Sequence, residues 1–230
     1  MQKGVIIRDL QTMAYGECWD LQRSLFEDLC LRKRNKQFTE EDAIGTILIV
    51  EHPAVYTLGK SGHEENMLIT EEYLKALGAE FYRIDRGGDI TFHGPGQLVC
   101  YPIIDLEAIG FGIRRYIDAL EQSVIDLAAE YGIRAERSEG ASGVWIAQGR
   151  HLNKLCAVGV RASHNVTMHG LAMNVSTDLN WFHNINPCGF TDRGVCSLTT
   201  LTGREVTMEE VKPRFIQHLT RNLNVKIYKK

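Results

Sequence analysis

The sequence carries little excess charge and has no long apolar run, and each absence excludes a class of protein. Its 230 residues have a formal net charge of −3 at pH 7, whereas a general nucleic-acid binder needs a basic surface. No apolar run approaches the roughly 20 residues that cross a bilayer. We therefore expect no nucleic-acid partner and no membrane association.

Cysteine and histidine are present, but not in the spacings of a metal site. The sequence contains no C-x2-C, H-x3-H or H-E-x-x-H pattern, and its eight histidines are scattered, so no metal is expected. A G-x-x-x-x-G-K-[ST] phosphate loop is also missing, which leaves ATP use without support. The six cysteines are widely spaced, and the sequence opens on a strand-like segment without a recognisable export signal. We expect reduced thiols in a cytoplasmic protein.

Composition and periodicity predict one mixed α/β domain spanning residues 1–230. Hydrophobic residues make up 44% and charged residues 24%, as in ordinary globular proteins. Short apolar runs predict strands at 5–9, 46–50, 81–85, 143–147, 154–161, 166–175 and 225–228. Apolar spacing and capping residues predict helices at 14–33, 70–78, 113–131 and from 207 onward. The expected fold is a mixed sheet flanked by helices, with more strands than a simple βαβ wheel supplies.

Two of these helices carry features that admit more than one interpretation. The first ends in a basic run at 31–36, which is either a solvated last turn that suits the helix dipole or a docking patch for an acidic partner. The last contains Pro213, which predicts a late start or a kink. The apolar stripe expected on the first helix comprises Ala14, Cys18, Leu21, Leu25 and Leu29.

Cys188 stands apart from the other cysteines because it lies between Pro187 and Gly189. Proline fixes its own backbone and glycine permits a close approach, so this context is typical of a loop that presents a side chain. A free cysteine is otherwise a small buried hydrophobe. We expect that ordinary role for the remaining cysteines, which are Cys18, Cys30, Cys100, Cys156 and Cys196.

The segment 86–97 is rich in both turn residues and functional groups. Five of its twelve residues are glycine or proline, so much of it must turn. It also carries arginine, aspartate, threonine and histidine, which a plain connector does not require. A glycine-rich turn lets backbone amides approach a ligand. An equally good interpretation is a structural hairpin between the strand-like runs 79–85 and 98–104.

Lys154 is a candidate partner for Cys188. An ammonium partly desolvated by apolar neighbours becomes a usable proton acceptor, and a thiol beside it is more easily ionised. Such a pair would suit nucleophilic attack on a thioester. The alternative is a lysine at the edge of a strand that reaches solvent, and the sequence alone does not show that the two side chains meet.

Several motifs, in order, resemble the octanoyltransferase family of lipoate biosynthesis. They are RGGDITFHGPGQL at 86–98, Lys154 with AVGVR at 157–161, HGLAMNV at 169–175 and INPCG at 185–189, with EHP at 51–53 and YTLG at 56–59 upstream. The resemblance covers roughly residues 45–200. Met168 and Met173 depart from the residues more common in the family, a change that touches pocket lining at most.

The resemblance implies a fold, a reaction and a set of site residues. The fold is that of the biotin and lipoate ligase catalytic domain. The reaction moves an octanoyl group from acyl carrier protein to a lysine of a lipoyl domain, without ATP, metal or other cofactor. Cys188 would hold the acyl group as a thioester and Lys154 would be its acid/base partner. The implied substrate-binding residues are Arg86, Gly87, Gly88, Asp89, Ile90, Thr91, Phe92, His93, Ala157, Val158, Gly159, Gly170, Leu171 and Ala172.

The implied acceptors are the lipoyl domains of 2-oxoacid dehydrogenase complexes and the glycine cleavage H protein. Two other enzymes remain alternatives: an ATP-dependent lipoate–protein ligase of the same fold, and an amidotransferase that moves octanoyl between lipoyl-type proteins. A third alternative, from a different class, is a silent carrier-binding protein that uses the basic run at 31–36.

Overall fold

The computed structural model describes residues 3–37, 43–149, 151–186 and 193–228. Within these ranges the strands are β1 Lys3–Thr12, β2 Gly45–Glu51, β3 Val55–Leu58, β4 Glu80–Arg83, β5 Ile90–His93, β6 Gln97–Ile104, β7 Glu136–Ser138, β8 Ala141–Gln148, β9 His151–Ser163, β10 Val166–Asn174, β11 Arg193–Val195 and β12 Val225–Ile227. The α-helices are α1 Tyr15–Arg34, α2 Glu71–Ala76, α3 Ile113–Glu130, α4 Leu198–Thr202 and α5 Met208–Asn222. The chain therefore interleaves strands and helices, as its composition predicts.

Most of the described strands form one mixed sheet, here called the main sheet. Its order is β12-β1-β2-β6-β10-β9-β8-β7, and β11 pairs with β9 beside this path. β1 runs parallel to β2 and β12, whereas β2, β6, β10, β9 and β8 are successively antiparallel. The remaining strands form a small sheet of order β4-β3-β5. This confirms the predicted mixed sheet flanked by helices.

The central strands of the main sheet are buried on both faces. In β2, Ile47 and Ile49 pack on the side of α3 and α5, while Leu48 and Val50 pack on the side of α1. Side chains alternate across a strand, so a run that is apolar at every position serves a sheet covered twice. The continuous apolar run in the sequence is therefore a reliable sign of this layered core.

The stripe by which α1 packs against the sheet differs from the predicted one by about one residue. Its buried positions are Tyr15, Cys18, Gln22, Phe26 and Leu29. Cys18 and Leu29 of the predicted stripe are buried, and Leu21 and Leu25 are half-buried and pack against the same core. Ala14 precedes the helix as its N-cap residue, and the polar Gln22 takes a fully buried position. The side-chain oxygen of Gln22 accepts a hydrogen bond of 3.1 Å from the backbone N–H of His169 in β10, which compensates for burying the amide oxygen.

The basic end of α1 is partly used within the protein. The amine of Lys33 lies 2.6 Å from a carboxylate oxygen of Asp105 and 2.7 Å from one of Glu107. These contacts join the end of α1 to the turn after β6. Lys33 is therefore not a simple solvated cation, and reversing its charge would disturb packing as well as any docking surface.

Two predicted caps are confirmed, and of the two alternatives expected for the last helix, a late start or a kink, the late start does not occur. The Thr70 hydroxyl accepts from the backbone N–H of Tyr73 at the start of α2, and that of Thr207 accepts from Glu210 at the start of α5. α5 begins at Met208 and includes Pro213 within it, so the expected late start does not occur. The cap holds the first turn, and Pro213 lies one turn further on.

The hairpin interpretation of segment 86–97 is also wrong. The strands on either side of it, β4 and β6, belong to different sheets. Ile90–His93 is itself a strand, β5, which pairs antiparallel with β3. The segment therefore crosses from the small sheet to the main sheet, and its glycine-rich first half lies where the two sheets meet.

Candidate functional site

A cavity of about 1020 Å³ lies between the main sheet and the small sheet. Nearly all the residues expected to bind substrate line it. They are Arg86, Gly87, Gly88, Asp89, Ile90, Thr91, His93, Ala157, Val158, Gly159, Gly170, Leu171 and Ala172, and Lys154 lies on the same wall. Segments separated by up to 86 positions in the chain, from Arg86 to Ala172, thus face one space.

Phe92 is the exception among these residues, because it does not line the cavity. Its ring is fully buried and stacks on Trp181 at a centroid distance of 5.2 Å and an interplanar angle of 6°. It also contacts the ring of Phe182 edge-on at 5.6 Å, and Phe182 does line the cavity. Phe92 therefore supports the wall from behind.

One wall of the cavity is a cross-strand pair of short segments. Ala157–Val158–Gly159 of β9 and Gly170–Leu171–Ala172 of β10 are directly paired, residue by residue, in antiparallel register. Gly170 cannot carry a side chain, since an added Cβ would lie 2.1 Å from the carbonyl oxygen of Cys100 on β6. The pairing explains why two motifs distant in the sequence form one surface.

Arg86 fixes the glycine-rich loop to both sheets. Its Nη2 donates to the carbonyl oxygen of Thr57 at 2.8 Å and to the Thr57 hydroxyl at 3.0 Å. The backbone N–H of Gly87 donates to the carbonyl oxygen of Val160 on β9 at 3.0 Å. Because Arg86 is buried, these bonds compensate for removing its charge from water.

Asp89 shapes the same loop. One carboxylate oxygen accepts from the backbone N–H of Ile90 at 2.7 Å, and the other accepts from the Asn66 side chain at 2.6 Å. These bonds order the residues between Arg86 and β5. Asp89 therefore contributes to the cavity wall at least in part as a structural anchor.

His93 and its neighbour His52 are buried and uncharged. Burial lowers the pKa of His93 to about 3, and the nearby His52 ring acts in the same direction. Burial likewise lowers the pKa of His52 to about 4. His93 Nδ1 donates to the Gln97 side-chain oxygen at 2.8 Å, since that oxygen can only accept. This end of the cavity thus presents neutral rings, including that of Tyr15 stacked on His93 at 5.9 Å.

Sequence reasoning did not single out His169 and Asp85 as a functional pair. His169 Nε2 lies 2.9 Å from an oxygen of Asp85, and His169 is one of the residues that line the cavity. Burial lowers the pKa of His169, and the bond to His169 holds the pKa of Asp85 below its usual range. The backbone of His169 adopts φ +61°, a conformation that costs free energy in a non-glycine residue and is enriched at functional sites. A histidine before glycine in the sequence was the only available signal.

Lys154 lies within β9 rather than at its entrance. It is half-buried and directly paired with Trp145 on β8 and Val195 on β11. Its amine is 4.5 Å from the centre of the Trp145 ring. Lys154 therefore has the partly desolvated surroundings that a proton acceptor requires.

Cys188 lies outside the described residues, so its distance from Lys154 stays a prediction. The described residues on either side, Asn186 and Arg193, both line the cavity. The backbone N–H of Asn186 donates to the carbonyl oxygen of Asn66 at 2.8 Å, and Ile185 bridges to Met67. These contacts attach the chain to the small sheet just before residue 187.

The other five cysteines behave largely as expected. All five are free thiols; Cys18, Cys100, Cys156 and Cys196 are buried and Cys30 is half-buried. Burial raises the pKa of each of these thiols, to about 12 for Cys18 and for Cys196. A thiol with so high a pKa is a poor nucleophile near neutral pH.

Among the described residues, no group of three or more histidine, cysteine, aspartate or glutamate side chains is arranged to hold a metal ion. In the same part of the chain, no helix combines the length and apolar character needed to cross a bilayer.

Residues 14–220 match the family model described as the lipoyl protein ligase A/B catalytic domain. The chain is 51% identical over 215 residues to an octanoyltransferase of Bacteroides fragilis strain YCH46, covering 93% of this chain and 96% of that protein. It is 50% identical over 226 residues to an octanoyltransferase of Flavobacterium johnsoniae, covering 96% and 97%.

Solved structures share the fold at low sequence identity. The bipartite lipoate protein ligase of Thermoplasma acidophilum superimposes with a TM-score of 0.72 at 18% identity, covering all of this chain and 87% of that one. The biotin protein ligase of Aquifex aeolicus gives 0.50 at 15% identity, covering 97% and 69%. Together with the family match and the two relatives, these similarities confirm the resemblance noted in the sequence. The protein belongs to the lipoyl protein ligase A/B catalytic domain family and, within it, to the octanoyltransferases, which are acyltransferases.

Proposed function

We propose that this protein transfers an octanoyl group from octanoyl-acyl carrier protein to a lysine of lipoyl domains through a thioester on Cys188, the first step of protein lipoylation. The observation that carries the proposal is the convergence on one cavity of Lys154, the paired triplets of β9 and β10, and the Arg86 loop. The names of the relatives support octanoyl transfer.

The cavity suits a medium-length acyl chain. Its β9–β10 wall offers Val158, Leu171 and Ala172, with Ile113 and Ile117 of α3 also lining it. Each buried methylene contributes about 0.8 kcal/mol, so an eight-carbon chain would supply roughly 5 kcal/mol of binding free energy. The neutral rings near His93 add no charge that an apolar chain would have to desolvate.

The position of Asn186 supports Cys188 as the acyl carrier. Cys188 follows Asn186 by two peptide bonds, and consecutive Cα atoms are about 3.8 Å apart, so their Cα atoms are within roughly 7.6 Å of each other. Asn186 lines the cavity together with Lys154. The described chain therefore reaches residue 187 from the wall of the cavity that holds the proposed acid/base lysine.

The chemistry needs no external energy source. Exchange of the carrier's pantetheine thioester for one on Cys188 is nearly thermoneutral, and attack of an amine on the resulting thioester is downhill. The acceptor lysine must lose a proton, since its unperturbed pKa is about 10.4. Lys154 would take that proton and, in the first half-reaction, would give one to the departing pantetheine thiol.

The proposal extends to partners, cofactors and location. The donor is acyl carrier protein, and the acceptors are lipoyl domains of 2-oxoacid dehydrogenase complexes and the glycine cleavage H protein. Neither ATP nor a metal takes part, and the proposed location is the cytoplasm. These statements follow from the family that the sequence resembles and from the cysteine chemistry above.

The decisive experiment is mass spectrometry after incubation with octanoyl-acyl carrier protein in the absence of ATP. We expect one octanoyl group, located on the peptide that contains Cys188, and its release when a lipoyl domain is added. Cys188→Ser should abolish transfer while leaving carrier affinity nearly intact. Cys30→Ser, which changes a half-buried thiol on α1, is the matched control and should remain fully active.

Other outcomes would favour the alternatives. A requirement for ATP would indicate a ligase. A preference for octanoylated lipoyl-type protein over acyl carrier protein as donor would indicate an amidotransferase. Carrier binding without any transfer would indicate a silent binding protein, and unchanged turnover of Cys188→Ser would refute the covalent intermediate.

A further inference from the structure

Two cations share one aromatic ring at the Lys154 end of the cavity. The Lys154 amine lies 4.5 Å from the centre of the Trp145 ring, and the guanidinium carbon of Arg193 lies 5.0 Å from the same centre. The amine and guanidinium carbon are therefore within about 10 Å of each other. All three residues line the cavity.

Strand register places these three side chains on one face of the main sheet. Lys154 pairs directly with Trp145 on β8 and with Val195 on β11. Arg193 stands two residues before Val195 and pairs with Leu152, so it shares the face of Val195 and Lys154. Their proximity is thus built into the sheet.

The Arg193 side chain reaches across β9 to arrive at the ring. It starts on β11, on one side of β9, whereas Trp145 lies on β8, on the other side. Its Nη1 extends further, to 3.5 Å from the Ser138 hydroxyl on β7. A guanidinium that spans this distance must cross the sheet face that carries Lys154, so a permanent positive charge is held within about 10 Å of the amine.

Among the described residues, Glu121 acts with Lys154 on the thiol of Cys156, but its carboxylate is engaged by other groups. Glu121 of α3 accepts from the backbone N–H of Gly143 at 2.7 Å and pairs with Arg137 at 3.0 Å. Within the described chain, the thiols close to Lys154 in the sheet are those of Cys156 on β9 and Cys196, and burial raises the pKa of both. His183, which is exposed, also lines the cavity.

We propose that Arg193 is a positioning residue that, held on Trp145, lowers the proton affinity of Lys154 and so makes it an effective base near neutral pH. This inference rests on the proposed acyl transfer. A like charge disfavours the protonated form of an amine, while the ring of Trp145 stabilises each cation by its quadrupole and limits their movement. Trp145 itself is almost completely buried, so it is a rigid platform.

The step that benefits is the transfer of octanoyl to the acceptor lysine. The neutral acceptor amine attacks the thioester carbon, a C–N bond forms, and the proton lost from that nitrogen passes to the Lys154 amine. The C–S bond breaks and Cys188 leaves as a thiolate. Only deprotonated Lys154 can take the proton, so the rate rises with pH until Lys154 is deprotonated.

The test compares Arg193→Gln with Arg193→Lys, which keeps a positive charge, and with Arg134→Gln, which removes an exposed charge from a site outside the cavity. Single-turnover transfer from octanoyl-enzyme to a lipoyl domain is measured as a function of pH. Two unit charges 5–10 Å apart at intermediate dielectric shift a pKa by roughly 0.5–1 unit. We expect the acidic limb of the pH–rate profile to move to higher pH by that amount in Arg193→Gln, and to stay in place in the other two variants.

A profile of Arg193→Gln that coincides with that of the wild type would overturn the inference. A rate lowered equally at every pH would also overturn it, because that pattern indicates only a structural role. Thermal unfolding monitored by circular dichroism identifies any variant that fails to fold, and Arg193→Met, which removes the charge but keeps an extended side chain, then provides the second variant. We expect Arg193→Met to shift the acidic limb to higher pH as Arg193→Gln does, and an unshifted limb would overturn the inference.

Direct titration separates this inference from the proposed function. Labelling of the Lys154 amine with acetic anhydride at a series of pH values, read by peptide mass spectrometry, reports its pKa without turnover. If Arg193→Gln leaves that pKa unchanged while Cys188→Ser is inactive, the inference fails and the proposed function stands. If the pKa rises but Cys188→Ser still transfers octanoyl, the proposed function fails and the effect of Arg193 on Lys154 stands.

Discussion

Acidification from pH 7 to pH 5 should destabilise this protein through two buried histidines, His93 at the cavity and His52 behind it. His52 is fully buried and His93 is 6% exposed, and their rings are 6.0 Å apart. His52 lies 2.8 Å from the carbonyl oxygen of Met13 through Nδ1 and 3.0 Å from the Tyr101 hydroxyl through Nε2. Burial lowers the pKa of His52 to about 4 and that of His93 to about 3.

The magnitude follows from the difference in proton binding between the two states. A histidine of the unfolded chain has a pKa of about 6.5 and takes up a proton between pH 7 and pH 5, whereas the folded-state histidines do not. The unfolded state is therefore stabilised as pH falls through 6.5. The free energy of unfolding keeps falling until the pH reaches the folded-state pKa. Each ring contributes about 2 kcal/mol of lost stability at pH 5. His169 acts in the same direction, because burial lowers its pKa too.

Urea unfolding at pH 7, 6 and 5 measures this loss. His52→Asn removes one titrating ring while keeping an N–H able to donate to Met13. The variant should therefore lose about 2 kcal/mol less unfolding free energy than the wild type between pH 7 and pH 5. His63→Asn, at an exposed histidine, should keep the full dependence. If the wild type and His52→Asn lose stability in parallel between pH 7 and pH 5, burial of a neutral ring is not the cause.

Two further predictions concern the β9–β10 wall. Gly170→Ala should lower the free energy of unfolding by about 3 kcal/mol or more in urea titrations, because its Cβ would lie 2.1 Å from the carbonyl oxygen of Cys100. Gly112→Ala is the control: its Cβ meets nothing within 4 Å, and only the weaker N-cap of α3 should cost about 1 kcal/mol. Leu171→Phe should shift the preferred acyl chain towards fewer than eight carbons, since a larger side chain shortens the cavity. The measurement is the relative kcat/KM for a series of acyl-carrier thioesters. If the preferred chain length does not change, the acyl chain does not lie against Leu171.

The sequence predicts the layered core well because burial leaves a local pattern. The run at 46–50 is apolar at every position and becomes β2, covered on both faces. Ile113–Glu130 forms α3, which Gly132 follows as expected, and its apolar residues face the sheet. The buried face of α1 differs from the predicted one because it includes Gln22, whose side-chain oxygen accepts a hydrogen bond from β10. A local sequence pattern does not show that a polar residue will find such a distant partner.

The short strands are not predicted from the sequence, because they too depend on contacts with distant parts of the chain. β3, β7 and β11 contain three or four residues each, and each is stabilised mainly by the strand beside it. β5 was interpreted as part of a turn because glycines surround it, although its four residues pair with β3. Context rather than propensity decides such segments.

For the site, the sequence identifies the chemical groups but not their arrangement in space. Residue types and their order identify Lys154, the Arg86 loop and the paired triplets, but only the register of β9 and β10 makes the triplets neighbours. Register likewise separates the two ends of the cavity: Lys154 lies six residues along β9 from Val160, the partner of His169, which is about 20 Å at 3.3–3.4 Å per residue. Two cations on Trp145 therefore occupy one end, while the neutral imidazoles lie towards the other. An acyl group whose carbonyl is near Lys154 would extend its tail towards uncharged rings, so His93→Asp should weaken acyl binding more than His63→Asp, which introduces the same charge at an exposed position.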